Sequence, residues 1–275
     1  MFQKKFALQA VEILKDDTNV LGIAVNGSWL TADLDEFSDL DLVLVTRKQV
    51  AGDKALMVEY ANRLGNLLNG FTGEHVGEPR LLICLYEDPL IHVDIKFLLP
   101  EEFSSRVEDP QILFDPQGLL EAALQADPAV WPFPGYQWME DRFWIWLHYA
   151  TTKLGRGELF EALDLLTFLR SQILAPLLLI KNNKLPKGVR RAEQLLPASD
   201  LKKLQQTVAA YDAAAIAQCI CNAVRLYQEL RTVLYPPAVN LQSGTELRAV
   251  EYFEEISLFL LQTGDEADQI SYLEK

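Results

Sequence analysis

Residues 127–135, Asp-Pro-Ala-Val-Trp-Pro-Phe-Pro-Gly, divide this chain more sharply than any other feature. Proline has no N–H to donate and fixes φ, so three prolines and a glycine in nine residues can continue neither a helix nor a strand. Before this segment the apolar residues recur with mixed periods. The pattern predicts a helix over 6–14, strands over 20–26 and 40–46, and a helix over 54–68. Strands over 80–86 and 90–98 follow, joined as a hairpin through Glu87, Asp88 and Pro89, with a short strand at 112–114. Beyond it the spacing is helical almost throughout: 137–154, 158–180, 199–211, 213–234 and 246–261. The chain is therefore expected to be α+β: a mixed sheet with helices over 1–126, a Pro-rich linker over 127–135, and an all-helical bundle domain over 136–275.

Composition narrows the partners. Hydrophobic residues make up 49% of the 275, too many for a disordered chain. The net charge of −14 is uneven, because residues 1–125 hold 10 Lys and Arg against 21 Asp and Glu. Such a front half repels a nucleic-acid backbone and attracts a cationic small molecule, so no nucleic acid is expected as ligand. The N-terminal residues read as an amphipathic helix rather than a signal peptide. The longest apolar run, around 173–180, is interrupted by Pro176 and is too short to span a bilayer, so no membrane is expected either. Three cysteines cannot all pair, and Cys219 with Cys221 makes a lone C-x-C without the second pair a zinc site needs. Reduced thiols and a cytoplasmic location are the expectation.

The chemistry concentrates between Asn26 and Val45. A strand ends on Gly27 and Ser28, and a turn there into a helix would offer backbone N–H groups to a phosphate. Eleven residues after Ser28 comes Asp39, followed by Asp41. Residues i and i+2 of a strand face the same way, so both carboxylates project from one surface. Like charges so placed call for a cation, and Mg²⁺ suits them because it shares its coordination among carboxylates, phosphate and water. A third acid lies further on. Val93, Ile95 and Phe97 alternate with His92, Asp94 and Lys96, so if the apolar set meets the core helices, Asp94 faces the open side. His92 reads as an edge-of-pocket residue. Three acids suit a two-metal site for in-line phosphoryl displacement.

Gly-Ser, a spacer, Asp-x-Asp entering a strand, and a third acid on a later strand together resemble the signature of the nucleotidyltransferase superfamily. More narrowly the chain is similar to bacterial aminoglycoside adenylyltransferases of the streptomycin type, in length and in the order of catalytic and helical domains. The resemblance implies that Gly27 and Ser28 hold a nucleoside triphosphate and that Asp39, Asp41 and Asp94 are catalytic and bind metal, two Mg²⁺ ions in all. It implies that AMP passes from ATP to a hydroxyl of a small-molecule acceptor, an aminoglycoside-like cation. The spacer departs from the family, which often places an arginine and a glycine after Gly-Ser; here Trp29, Leu30, Thr31, Ala32 and Asp33 stand.

The missing positive charge is sought in the helical domain, which is expected to complete the active-site cleft. On the helix over 137–154 an apolar stripe of Phe143, Leu147, Ala150 and Leu154 runs beside Arg142, Trp146, Tyr149, Lys153 and Arg156. Lys153 and Arg156 are the candidates for the nucleotide phosphates. The competing reading is ion pairing with Glu158 and Glu161 inside the bundle. Two further functions remain open: a nucleotidyltransferase that modifies another protein, and a non-catalytic nucleotide-binding regulator or antitoxin-like module.

Overall fold

The computed structural model describes the chain except Ala32, Asp33, Pro134, Glu274 and Lys275, and the side chains from residue 261 onward. Two residues of the spacer and one proline of the linker thus lie outside the described residues. The chain divides into two compact units, Met1–Pro132 and Phe133–Lys275.

The first unit is built on six strands: β1 (Val20–Val25), β2 (Leu40–Thr46), β3 (Asn66–Gly73), β4 (Glu78–Glu87), β5 (Ile91–Leu98) and β6 (Gln111–Phe114). Their order in the sheet is β3-β4-β5-β2-β1-β6. Only β2 and β5 pair in parallel, which makes the sheet mixed. Helices α1 (Phe2–Leu14) and α2 (Lys54–Leu64) cover one face. Ala7, Ala10 and Leu14 of α1 and Met57, Tyr60 and Ala61 of α2 pack on Ile23, Leu42, Leu44, Val93, Ile95 and Phe97. Every second residue of β2 and β5 is therefore spent on this core, and the intervening residues face away.

Part of the opposite face is closed by α3 (Pro100–Phe103) and α4 (Leu119–Ala126), through Phe103 and Leu120 against Leu21, Ala24, Val43 and Val45. A Cβ on Gly22 would lie 2.5 Å from Leu120 Cδ1, so glycine is what lets α4 come this close. The Asp115 carboxylate accepts from the N–H groups of Leu119, Leu120 and Glu121 at 2.9, 2.9 and 3.0 Å, which starts α4.

Four elements of this unit differ from the sequence expectation. The helix predicted over 54–68 stops at Leu64, and residues 66–73 form the edge strand β3. Gly65 breaks the helix, and pairing with β4 outweighs the helical spacing of Leu67 and Leu68. The short helices α3 and α4 were not anticipated.

The second unit is helical, with α5 (Tyr136–Gly155), α6 (Leu159–Leu169), α7 (Ala175–Lys181), α8 (Ala192–Leu195), α9 (Ala198–Gln205), α10 (Ala213–Leu234) and α11 (Ser243–Leu273). A π turn, Arg170–Leu174, joins α6 to α7 without a break. It lies just ahead of Pro176, whose missing N–H leaves the Gln172 carbonyl without its helical donor. Helix α9 ends at Gln205, short of the predicted 211. Leu159–Lys181 is thus 23 residues of continuous helix, long and apolar enough by length and composition to cross a membrane. Half of its apolar window is buried within the unit, as in a core helix. Inside the bundle the fully buried Glu140 carboxylate gathers Trp144 Nε1, Tyr227 OH, Arg231 Nη1 and the Gln242 N–H at 2.7–3.2 Å, which accounts for a charge in that position.

Candidate active site

Strand β1 ends at Val25, and the Asn26 N–H still donates to the Asp41 carbonyl at 3.0 Å, tying the end of β1 to the start of β2. The chain then turns through a single 3-10 turn, Gly27–Trp29. Among the described residues the turn does not run on into the expected helix. Gly27 adopts φ +65°, and a Cβ there would sit 2.0 Å from Asp41 Oδ2. Glycine is required twice over, by its backbone conformation and by the carboxylate pressed against it. The Gly27 N–H donates to Glu108 Oε1 at 3.0 Å, so a carboxylate already meets this amide. The Trp29 indole donates to Gln111 Oε1 at 2.7 Å, fixing the far end of the turn to β6.

Asp41 and Asp94 are direct register partners across the parallel β2–β5 pair. Neighbouring strands run about 4.8 Å apart, so their half-buried carboxylates rise side by side from the face that α1 and α2 leave free. The same row continues through Ile83 of β4 to Phe71 of β3, giving the acids a partly exposed apolar flank. Asp39, also half-buried, lies one residue ahead of β2. Asp94 is engaged: its Oδ1 lies 2.8 Å from His92 Nε2. Further along the same side of β5, Lys96 meets Glu78 at 2.8 Å, and Glu78 also takes Arg80 at 2.7 Å. Hydrogen bonding from Arg80, then from Lys96, holds the Glu78 carboxyl down to about 2 against the opposing effect of burial. These two cations of the sheet face are therefore already committed to a carboxylate.

Among the described residues no three His, Cys, Asp or Glu side chains gather into a ready-made metal cage. The structure brings Asp41 and Asp94 together, with Gly27 against Asp41; it does not assemble Asp39, Asp41 and Asp94 into a triad of converging ligands.

Lys153 and Arg156 belong to the second unit. Lys153 is only 9% exposed, and its Nζ lies 2.7 Å from Glu158 and 2.8 Å from Glu161. Glu158, then Glu161, raise the lysine pKa well above its ordinary value, so it is cationic at any working pH. Arg156 reaches Glu158 at 3.0 Å. The pairing inside the bundle weighed from the sequence is present for both. The neighbouring stripe is packed as well, with Arg142 over Trp138 and Trp146 edge-on to Phe168.

Sequence reasoning missed Glu108 and Gln3, whose Nε2 reaches the carbonyls of Asp35 and Ser38. Both act on the motif from more than thirty residues away, and no local pattern reports such contacts. The His92–Asp94 contact was legible in principle, since i and i+2 share a strand face.

No protein-family model matches the chain, and no curated protein does. Its neighbours among solved structures include two adenyltransferases and a nucleotidyltransferase-like protein. Aminoglycoside 6-adenyltransferase from Bacillus subtilis is 13% identical with a TM-score of 0.35, over 91% of this chain and 97% of that one. A nucleotidyltransferase-like protein from Exiguobacterium sibiricum is 13% identical with a TM-score of 0.36, over 93% and 91%. Spectinomycin adenyltransferase from Enterococcus faecialis, solved with ATP and spectinomycin, is 12% identical with a TM-score of 0.28, over 92% and 98%.

Proposed function

We propose that this chain is a nucleotidyltransferase that passes a nucleoside monophosphate, AMP from ATP, to a hydroxyl of a small cationic acceptor of the aminoglycoside kind. The observation that carries the reading is the register pairing of Asp41 with Asp94 on adjacent parallel strands, beside a glycine that cannot be replaced without displacing Asp41. The donor set fits a hard divalent cation. It offers carboxylate oxygens, and Asn26 Oδ1 is buried at the same corner without a hydrogen-bond partner. Mg²⁺ keeps several waters and takes only one or two carboxylates besides its phosphates, so a pair of acids would be enough to hold it. Asp39 and Asp41 would hold the ions, two in number, and Asp94 would hold one of them or take the acceptor's proton. When bound there with a nucleotide, the cation neutralises charge at the α-phosphate and lowers the pKa of the acceptor hydroxyl.

The residues of the chain then do the remaining work. Gly27 and Ser28 bring loop backbone close to the triphosphate. The acceptor oxygen bonds to the α-phosphorus, the bond to the β-phosphate oxygen breaks, and pyrophosphate leaves. The acidic first unit draws a cationic acceptor toward this chemistry. Pyrophosphate release from Mg·ATP, with and without a panel of hydroxylated cations, tests the reading. A rise with one acceptor is the expected result. Labelling of a polypeptide by radioactive ATP would point to a protein modifier, and nucleotide binding without release to a regulatory module.

Lys153 and Arg156 are proposed for the pyrophosphate end of the nucleotide, in competition with the carboxylates they now meet. Lys153→Ala is expected to weaken triphosphate binding roughly tenfold or more and monophosphate binding much less. Equal affinities for wild type and variant, with only the melting temperature lowered, would return Lys153 to the bundle's own ion pairs.

A further inference from the structure

We propose that Gln3 of α1 is a positioning residue that sets the backbone on which the acids stand; this rests on the carboxylate site argued above. Gln3 occupies the buried stripe of α1 with Ala7, Ala10 and Leu14, and is itself 0% exposed. An amide in such a place loses its water and must recover the loss through hydrogen bonds. Its Nε2 does so with both hydrogens, donating to the Asp35 carbonyl at 2.7 Å and the Ser38 carbonyl at 2.9 Å. Its Oε1 stays buried without a partner. An apolar side chain of the same shape would avoid that unsatisfied oxygen, so packing alone does not account for glutamine here.

The segment it grips is the turn that delivers Asp39 and Asp41. From the other side the turn is closed by its own polar groups. Ser38 Oγ donates to Asp35 Oδ1 at 2.9 Å, and the N–H groups of Asp35 and Phe37 donate to Ser38 Oγ and Asp35 Oδ1 at 3.0 and 2.9 Å. Asp39 follows Ser38 directly. One amide on a rigid core helix thus clamps the two carbonyls that flank this turn, immediately ahead of the first acid. A carboxylate ligand needs its backbone held to within a fraction of an ångström, and a clamp from regular structure does this better than a loop alone.

Two variants separate this role from plain stability. Gln3→Met keeps the shape of the side chain and removes both donors. Ser38→Ala loosens the same turn from the solvent side without touching the core. Binding of Mn²⁺ would be followed by electron paramagnetic resonance in the presence of a non-hydrolysable ATP analogue, beside thermal melting. Both variants are expected to bind Mn²⁺ about tenfold more weakly, and Ser38→Ala to melt as the wild type does. Unchanged Mn²⁺ affinity in Ser38→Ala, or in a Gln3→Met protein that folds, overturns the inference, whatever the melting temperature. Failure of the wild-type protein to bind Mn²⁺ with the analogue overturns the carboxylate site itself.

Discussion

Asp41→Asn is expected to lower nucleotidyl transfer by at least roughly a hundredfold while the protein remains folded. Asparagine keeps the size and shape of the side chain, so the packing beside Gly27 is preserved. What is lost is one negative charge opposite Asp94, its partner across β2 and β5. If the acids hold cations between protein and nucleotide, as proposed, the loss of this carboxylate removes both a ligand and part of the attraction. Like charges this close disfavour each other when no cation is present, so neutralising one carries a stabilising component in the metal-free protein. Asp94→Asn divides the roles further, since a residue on the acceptor's side can be lost with nucleotide binding intact and transfer stopped. Calorimetric titration with a non-hydrolysable nucleotide, paired with the turnover assay, reads both effects. Gross unfolding of Asp41→Asn would mark the acid as structural, and unchanged turnover would remove it from the chemistry.

The parts of this fold that were legible from sequence are those whose period is set by burial on one side. The alternation of Val93, Ile95 and Phe97 placed Asp94 on the free face of β5, because a strand with one buried face has no choice of register. The four residues Phe143, Leu147, Ala150 and Leu154 marked the core side of α5, and all are fully buried. β3 was lost because half of it is exposed at the sheet edge; its residues carry little alternation, and Leu67 and Leu68 continue the helical spacing of α2. In the site, Gly27 and Asp41 could be named from their spacing. That one presses on the other could not, since the contact joins residues fourteen apart across two strands. The helix expected after Ser28 was an inference from what phosphate sites commonly need, and nothing in Trp29, Leu30 and Thr31 favours a helix over a tight turn. For Lys153 the local sequence made the ion pairs legible, because Glu158 and Glu161 lie five and eight residues on and both meet its ammonium.

Gly27→Ala is expected to damage the protein in two separable ways. At φ +65° a Cβ costs about 1–2 kcal/mol in backbone strain alone. The same methyl would stand 2.0 Å from Asp41 Oδ2, far inside any non-bonded carbon–oxygen contact, so the carboxylate has to swing off its row with Asp94. Stability should fall by more than the strain term, and turnover by at least as much as in Asp41→Asn, because the alanine both moves the acid and closes the approach of backbone to phosphate. A double-mutant cycle distinguishes strain from collision. In an Asp41→Ala background the carboxylate is gone and the methyl has room, so Gly27→Ala should then cost only its backbone strain. Contacting residues couple by about 0.5–3 kcal/mol, and a value in that range measured by denaturant unfolding is the expected outcome. Simple additivity of the two substitutions would mean that Gly27 serves the turn alone, and that Asp41 is placed by β2 without help from the loop beside it.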